Sequence, residues 1–99
     1  MRLTHSQQEA IRSSVNSVIG AESRIWLFGS RVDDHKQGGD IDLLIETDRV
    51  LPNRVASLCQ LEGKLIMRLG DLKIDILIKD AQTPEAPVHR TAKTQGVPL

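Results

Sequence analysis

Residues 25–46 read IWLFGSRVDDHKQGGDIDLLIE. An apolar run ends in Gly29-Ser30, a polar loop follows, and Asp40-Ile41-Asp42 opens a second apolar run. Side chains of an extended strand alternate between its two faces, so Asp40 and Asp42 share one face and Ile41, Leu43 and Ile45 share the other. The Ile/Leu face is the natural core face. Two carboxylates side by side on one strand face repel each other, and a cation between them relieves that repulsion. Glycine at 29 permits a sharp turn and close approach of backbone to a ligand. If Ser30 begins a helical turn through Arg31 and Val32, its free N–H groups face a phosphate, and its hydroxyl adds a donor.

Outward from this stretch the chain alternates helix and strand patterns. Residues 4–20 carry Ile11, Val15, Val18 and Ile19 at helical spacing, with Thr4 or Ser6 as cap and Glu9 as capping-box partner of Ser6. Arg24–Phe28 is the first strand, with Trp26 expected in the core. After the turn at 47–53, Asn53 caps a helix that runs to about Leu69, with Val55, Leu58, Leu61, Leu65, Ile66 and Leu69 as its apolar face and Cys59 packed beside them. Residues 72–78 form a third strand, in which Ile74, Ile76 and Ile78 share one face and Asp75 interrupts the other. The tail, 82–99, is expected to hold a short helix from Pro87 to about Lys93 and then an extended end. The expectation is one α/β domain over 1–99: a small mixed sheet of about three strands with helices packed largely on one face.

Composition narrows the function. Thirteen basic and thirteen acidic residues cancel, which argues against an extended nucleic-acid surface, since that needs clustered Lys and Arg. The single cysteine, Cys59, cannot close an internal disulfide, and no long apolar span or signal peptide is apparent. A cytoplasmic protein without a membrane association is expected.

Gly29-Ser30, a nine-residue linker, Asp40-Ile41-Asp42 and a later strand acid, Asp75, together resemble the signature of the DNA polymerase beta-type nucleotidyltransferase superfamily. The resemblance is closest to its minimal nucleotidyltransferases. It implies the palm-like nucleotidyltransferase fold, catalytic and metal-binding roles for Asp40, Asp42 and Asp75, and nucleotide binding by Gly29, Ser30 and Arg31. Many relatives have Gly-Ser-Arg-x-Arg-Gly at the turn. This chain keeps Arg31 but has Asp33 and Asp34 where the second Arg and the Gly fall, so no phosphate contact is expected from that part of the loop.

The resemblance also implies two Mg2+ ions, with Mn2+ as substitute, and an NTP substrate, ATP first among them. Such chains are often paired with small helical proteins of the HEPN class in toxin–antitoxin modules, where the antitoxin adds AMP to the toxin. The expected activity is therefore transfer of a nucleoside monophosphate to a hydroxyl of a partner protein. The alternatives are a non-catalytic antitoxin-like module that neutralises a helical partner by covering it, transfer to a small molecule, and, for assembly, a homo-oligomer.

Overall fold

The computed structural model describes residues 3–29, 41–70 and 73–99. The chain begins with helix α1, His5–Val18, and strand β1, Arg24–Phe28; β2 spans Ile41–Glu46 and α2 Arg54–Leu69. β3, Ile74–Lys79, α3, Pro87–Gln95, and a short β4, Val97–Pro98, complete it. The sheet is mixed, in the order β3-β2-β1-β4, with β1 antiparallel to both β2 and β4, and β2 parallel to β3. A parallel pair needs a long crossover, and α2 provides it. The architecture is the expected mixed α/β, with four strands among the described residues rather than about three. β4 escapes sequence reading because two residues containing a proline have no strand period. It forms because Leu99 N–H reaches the Ile25 carbonyl at 2.9 Å beside it.

Each helix starts where its side chains satisfy free backbone donors. Thr4 Oγ1 accepts from Gln7 N–H at 3.1 Å while Gln7 Oε1 accepts from Thr4 N–H at 2.9 Å, a reciprocal capping box. The cap is thus Thr4 with Gln7, not Ser6 with Glu9. Asn53 Oδ1 accepts from Ala56 N–H at 3.0 Å and caps α2 as the sequence suggests. Pro87 opens α3, where its missing N–H costs nothing.

The core lies between one sheet face and helices α1 and α2. Ile25 and Leu27 of β1 and Ile41, Leu43 and Ile45 of β2 meet Ile11, Val15 and Ile19 from the first helical segment and Leu61 and Leu65 of α2, all buried. Ile74, Ile76 and Ile78 extend it across β3. The alternation read from the sequence is therefore the one that packs. The opposite face is not bare. Leu44 points there and is fully buried, and α3 covers it: Lys93 Nζ lies 5.9 Å above the Trp26 ring and donates to Glu46 Oε2 at 2.9 Å. Trp26 is accordingly half-buried under α3, outside the main core where it was expected.

Candidate active site

Three strand ends meet at one edge of the α3-bearing face. β1 finishes at Phe28 and turns at Gly29; β2 and β3, parallel to each other, begin there. Pairing puts Asp42 opposite Phe28 on one side and opposite Asp75 on the other. Residues opposite each other in adjacent strands share a face, about 4.8 Å apart between strands. Asp42 and Asp75 thus stand side by side, Asp42 half-buried and Asp75 exposed. Like charges facing one another across a strand pair destabilise a sheet, so packing offers no reason for this pair. The register is held from the core side by the isoleucines, and by the Ile41 N–H donating to the Lys73 carbonyl at 2.9 Å.

Gly29 sits against the same carboxylate. Its φ is +77°, a region L side chains rarely adopt, and a Cβ placed there would lie 3.0 Å from Asp42 Cγ and overlap Oδ2. Both backbone angle and space therefore require glycine. The motif pairing of Gly29 with the strand acid becomes a physical contact: the turn after β1 is the floor on which the Asp42 carboxylate rests.

Ser30, Arg31 and Asp40, together with the 33–39 loop, lie outside the described residues. Among the described residues no group of three His, Cys, Asp or Glu side chains is placed to hold a metal. Asp42 and Asp75 place two carboxylates at neighbouring register positions on one face, and carboxylate oxygens are the donors a hard cation such as magnesium takes. The donor chemistry fits such an ion, with Asp40, two residues from Asp42 in sequence, as the third acid expected.

The same face carries a second acid that motif reading does not single out. Glu46, four residues along β2 from Asp42, is buried yet paired: Arg24 Nε and Lys93 Nζ each donate to it at 2.9 Å. Burial works against its ionisation, but these hydrogen bonds outweigh it and hold the carboxyl below its usual value. Arg24 also grips Asp48 at 2.9 Å, and Lys93 also meets Glu85. This network pins α3 to the sheet beside the candidate site. The strand period alone reveals that Glu46 shares a face with Asp42; nothing in the sequence announces its partner Lys93. His89 of α3 stands apart from this network, and Arg90 borders it through Glu85. His89 is buried and its Nδ1 accepts the Ala86 N–H at 2.9 Å, a local helix cap; Arg90 lies 4.0 Å from Glu85.

No helix among the described residues is long and apolar enough to cross a membrane. Comparison with curated proteins gives no match. A family model described as the nucleotidyltransferase domain matches residues 9–95, a span that begins within α1 and takes in Gly29, Asp42, Asp75, α2 and α3. A match of that extent shows that the chain belongs to the nucleotidyltransferase domain family, the superfamily its Gly-Ser and Asp-x-Asp motifs resemble.

Proposed function

We propose that the chain is a metal-dependent transferase that moves a nucleoside monophosphate, AMP from ATP, to a hydroxyl of a partner protein. The observation that carries this reading is the register pairing of Asp42 with Asp75 on one face, with Gly29 against the Asp42 carboxylate. A fold gains nothing from juxtaposed like charges, whereas cation-assisted phosphoryl chemistry needs them. Asp42 and Asp75, with Asp40, would hold magnesium or manganese, which when bound neutralises charge on the triphosphate oxygens. Gly29, Ser30 and Arg31 would hold the β- and γ-phosphates. Asp75, the exposed member, would orient the attacking hydroxyl and take up its proton. The acceptor oxygen then bonds to the α-phosphorus, the bond to the bridging oxygen breaks, and pyrophosphate leaves. Catalysis comes from positioning and electrostatics.

The acceptor is a small helical protein of the HEPN type, within a toxin–antitoxin pair in the cytoplasm. The support is the family resemblance carried by Gly29-Ser30, Asp40-Ile41-Asp42 and Asp75. A docked protein would exclude the water that otherwise competes for attack. The test incubates the chain with ATP and magnesium, with and without its co-purifying partner, followed by intact-mass analysis. An AMP increment on the partner, absent with Asp42→Asn, is expected. Neutralisation of the partner by Asp42→Asn, without any mass increment, would replace the enzyme by a covering antitoxin. An increment only on a small-molecule hydroxyl would move the acceptor.

A further inference from the structure

The sequence assigns one apolar face to α2, yet the structure leaves two of its six residues, Val55 and Ile66, in solvent, together with Met67. Leu61 and Leu65 are buried, while Val55 is 69 % exposed, Ile66 52 % and Met67 88 %. Ala56, Cys59 and Gly63 are exposed with them. At 3.6 residues per turn these six lie within about 60° of the direction pointing straight away from Leu61. The outward stripe therefore holds no charge, with Gln60 and Glu62 as its rims. A helix apolar on both sides is a helix buried on both sides.

Gly63 adds an independent observation. A Cβ at this position would meet nothing within 4 Å. Glycine is among the least favourable residues in a helix interior, and nothing in the described chain requires it here. Close approach of another backbone does require it.

We infer that the outward face of α2 is a two-fold interface with a second copy of this chain. Positions two, five and six residues either side of Leu61 face away from it on any α-helix, and here all six are uncharged: Val55 and Met67, Ala56 and Ile66, Cys59 and Gly63. Two antiparallel α2 helices crossing at Leu61 set Val55 against Ile66 of the second copy and Ala56 against Met67. Cys59 falls beside Gly63 at the centre, where small residues let the axes come close. Large side chains at the ends meet small or branched ones, so each copy fills what the other leaves open. The exposed stripe amounts to on the order of 500 Å² per copy, so two copies reach the roughly 1,000 Å² at which a specific interface begins. Net charge of zero sets no general repulsion against it. α2 packs on the sheet face opposite Asp42 and Asp75, so the pair leaves both candidate active sites open.

Sedimentation of the purified chain alone, up to about 1 mM, should show a reversible monomer–dimer equilibrium. Met67→Lys should leave a monomer. Gly63→Leu should also leave a monomer while matching or exceeding the wild-type melting temperature, because only the second copy objects to the larger side chain. Glu62→Gln should tighten association about two- to fivefold, since the pairing sets the two Glu62 rims side by side. Wild type mixed with a Cys59→Ser/Gly63→Cys chain should form, under mild oxidation, a disulfide between Cys59 of one copy and the introduced thiol of the other. A chain that stays monomeric throughout, or dimers indifferent to both Met67→Lys and Gly63→Leu, would overturn the inference. So would a stripe that becomes protected only when a different, helical protein is added.

Discussion

The α3-bearing face of β2 carries acids near both ends, and the two ends are built in opposite ways. Glu46 has Arg24 opposite it on β1 and Lys79 opposite it on β3, and Lys93 comes down from α3 to close the site. Asp42 has Phe28 opposite it on β1 and another acid, Asp75, on β3. One carboxylate is embedded in opposite charge and ties a helix to the sheet. The other is set beside its like, above a turn that only glycine can make. The same residue class on the same strand face thus serves architecture at one end and, in the proposed function, chemistry at the other. What separates the roles is the register neighbour.

Breaking the contrast at its active end should give the largest effect. Asp42→Asn should lower nucleotidyl transfer about a thousandfold, because charge stabilisation of this kind is worth several kcal/mol in the transition state. The chain should still fold, because the isoleucines on the core face hold the register. A combined activity and thermal-melt measurement checks both, and loss of fold would place Asp42 with the structural acids. Next, magnesium with a non-hydrolysable ATP analogue should stabilise wild type by about 2.7 kcal/mol at a hundred times the dissociation constant. Asp42→Asn and Asp75→Asn should lose that response, while Glu46→Gln should keep it.

At the architectural end, Glu46→Ala should cost about 1–3 kcal/mol in denaturant unfolding, because Arg24 and Lys93 lose a charge-assisted partner. Transfer activity in the fraction that remains folded should stay close to wild type. Gly29→Ala joins the two ends: the positive φ should cost about 1–2 kcal/mol, and displacement of the Asp42 carboxylate should lower transfer as well. A loss of stability with unchanged transfer would separate Gly29 from the site.

The smallest effect is in pH. The Glu46 carboxyl sits below its usual 4.5 through its Lys93 and Arg24 hydrogen bonds, which outweigh burial. Asp80 is likewise lowered, by the Thr83 hydroxyl and the Leu51 N–H, and Glu85 by Lys93. A folded value below the unfolded one means that the stabilisation is complete above the ordinary carboxylate range and fades as pH falls through the folded value. Melting temperature should therefore be flat from neutrality to about pH 5 and fall below it. The fall should be shallower in Glu46→Gln.

Much of this was legible in the chain itself. Period-two alternation in IDLLIE and IDILIK assigns the isoleucines to the core and the acids to the other face, because strand geometry leaves no other choice. Asn53, Pro87 and Gly70 mark helix ends by local chemistry that works in any fold. The motif spacing names the family before any coordinate. Local pattern could not say which strands are neighbours, and everything that distinguishes Asp42 from Glu46 depends on that. The parallel register of β2 with β3 brings Asp42 to Asp75, residues far apart in sequence. α3 folds back so that Lys93 reaches Glu46 and covers Trp26. Helical periodicity marked Val55, Cys59 and Ile66 as inward, but α2 lies with its Leu61–Leu65 side on the core and leaves those three exposed. The sequence by itself determined which residues are apolar, which are acidic and how each element begins. Tertiary structure decided which acid pairs with Arg24 and Lys93, which acids stand opposite one another in register and which apolar residues of α2 stay exposed, because pairing energies depend on distance through space and not along the chain.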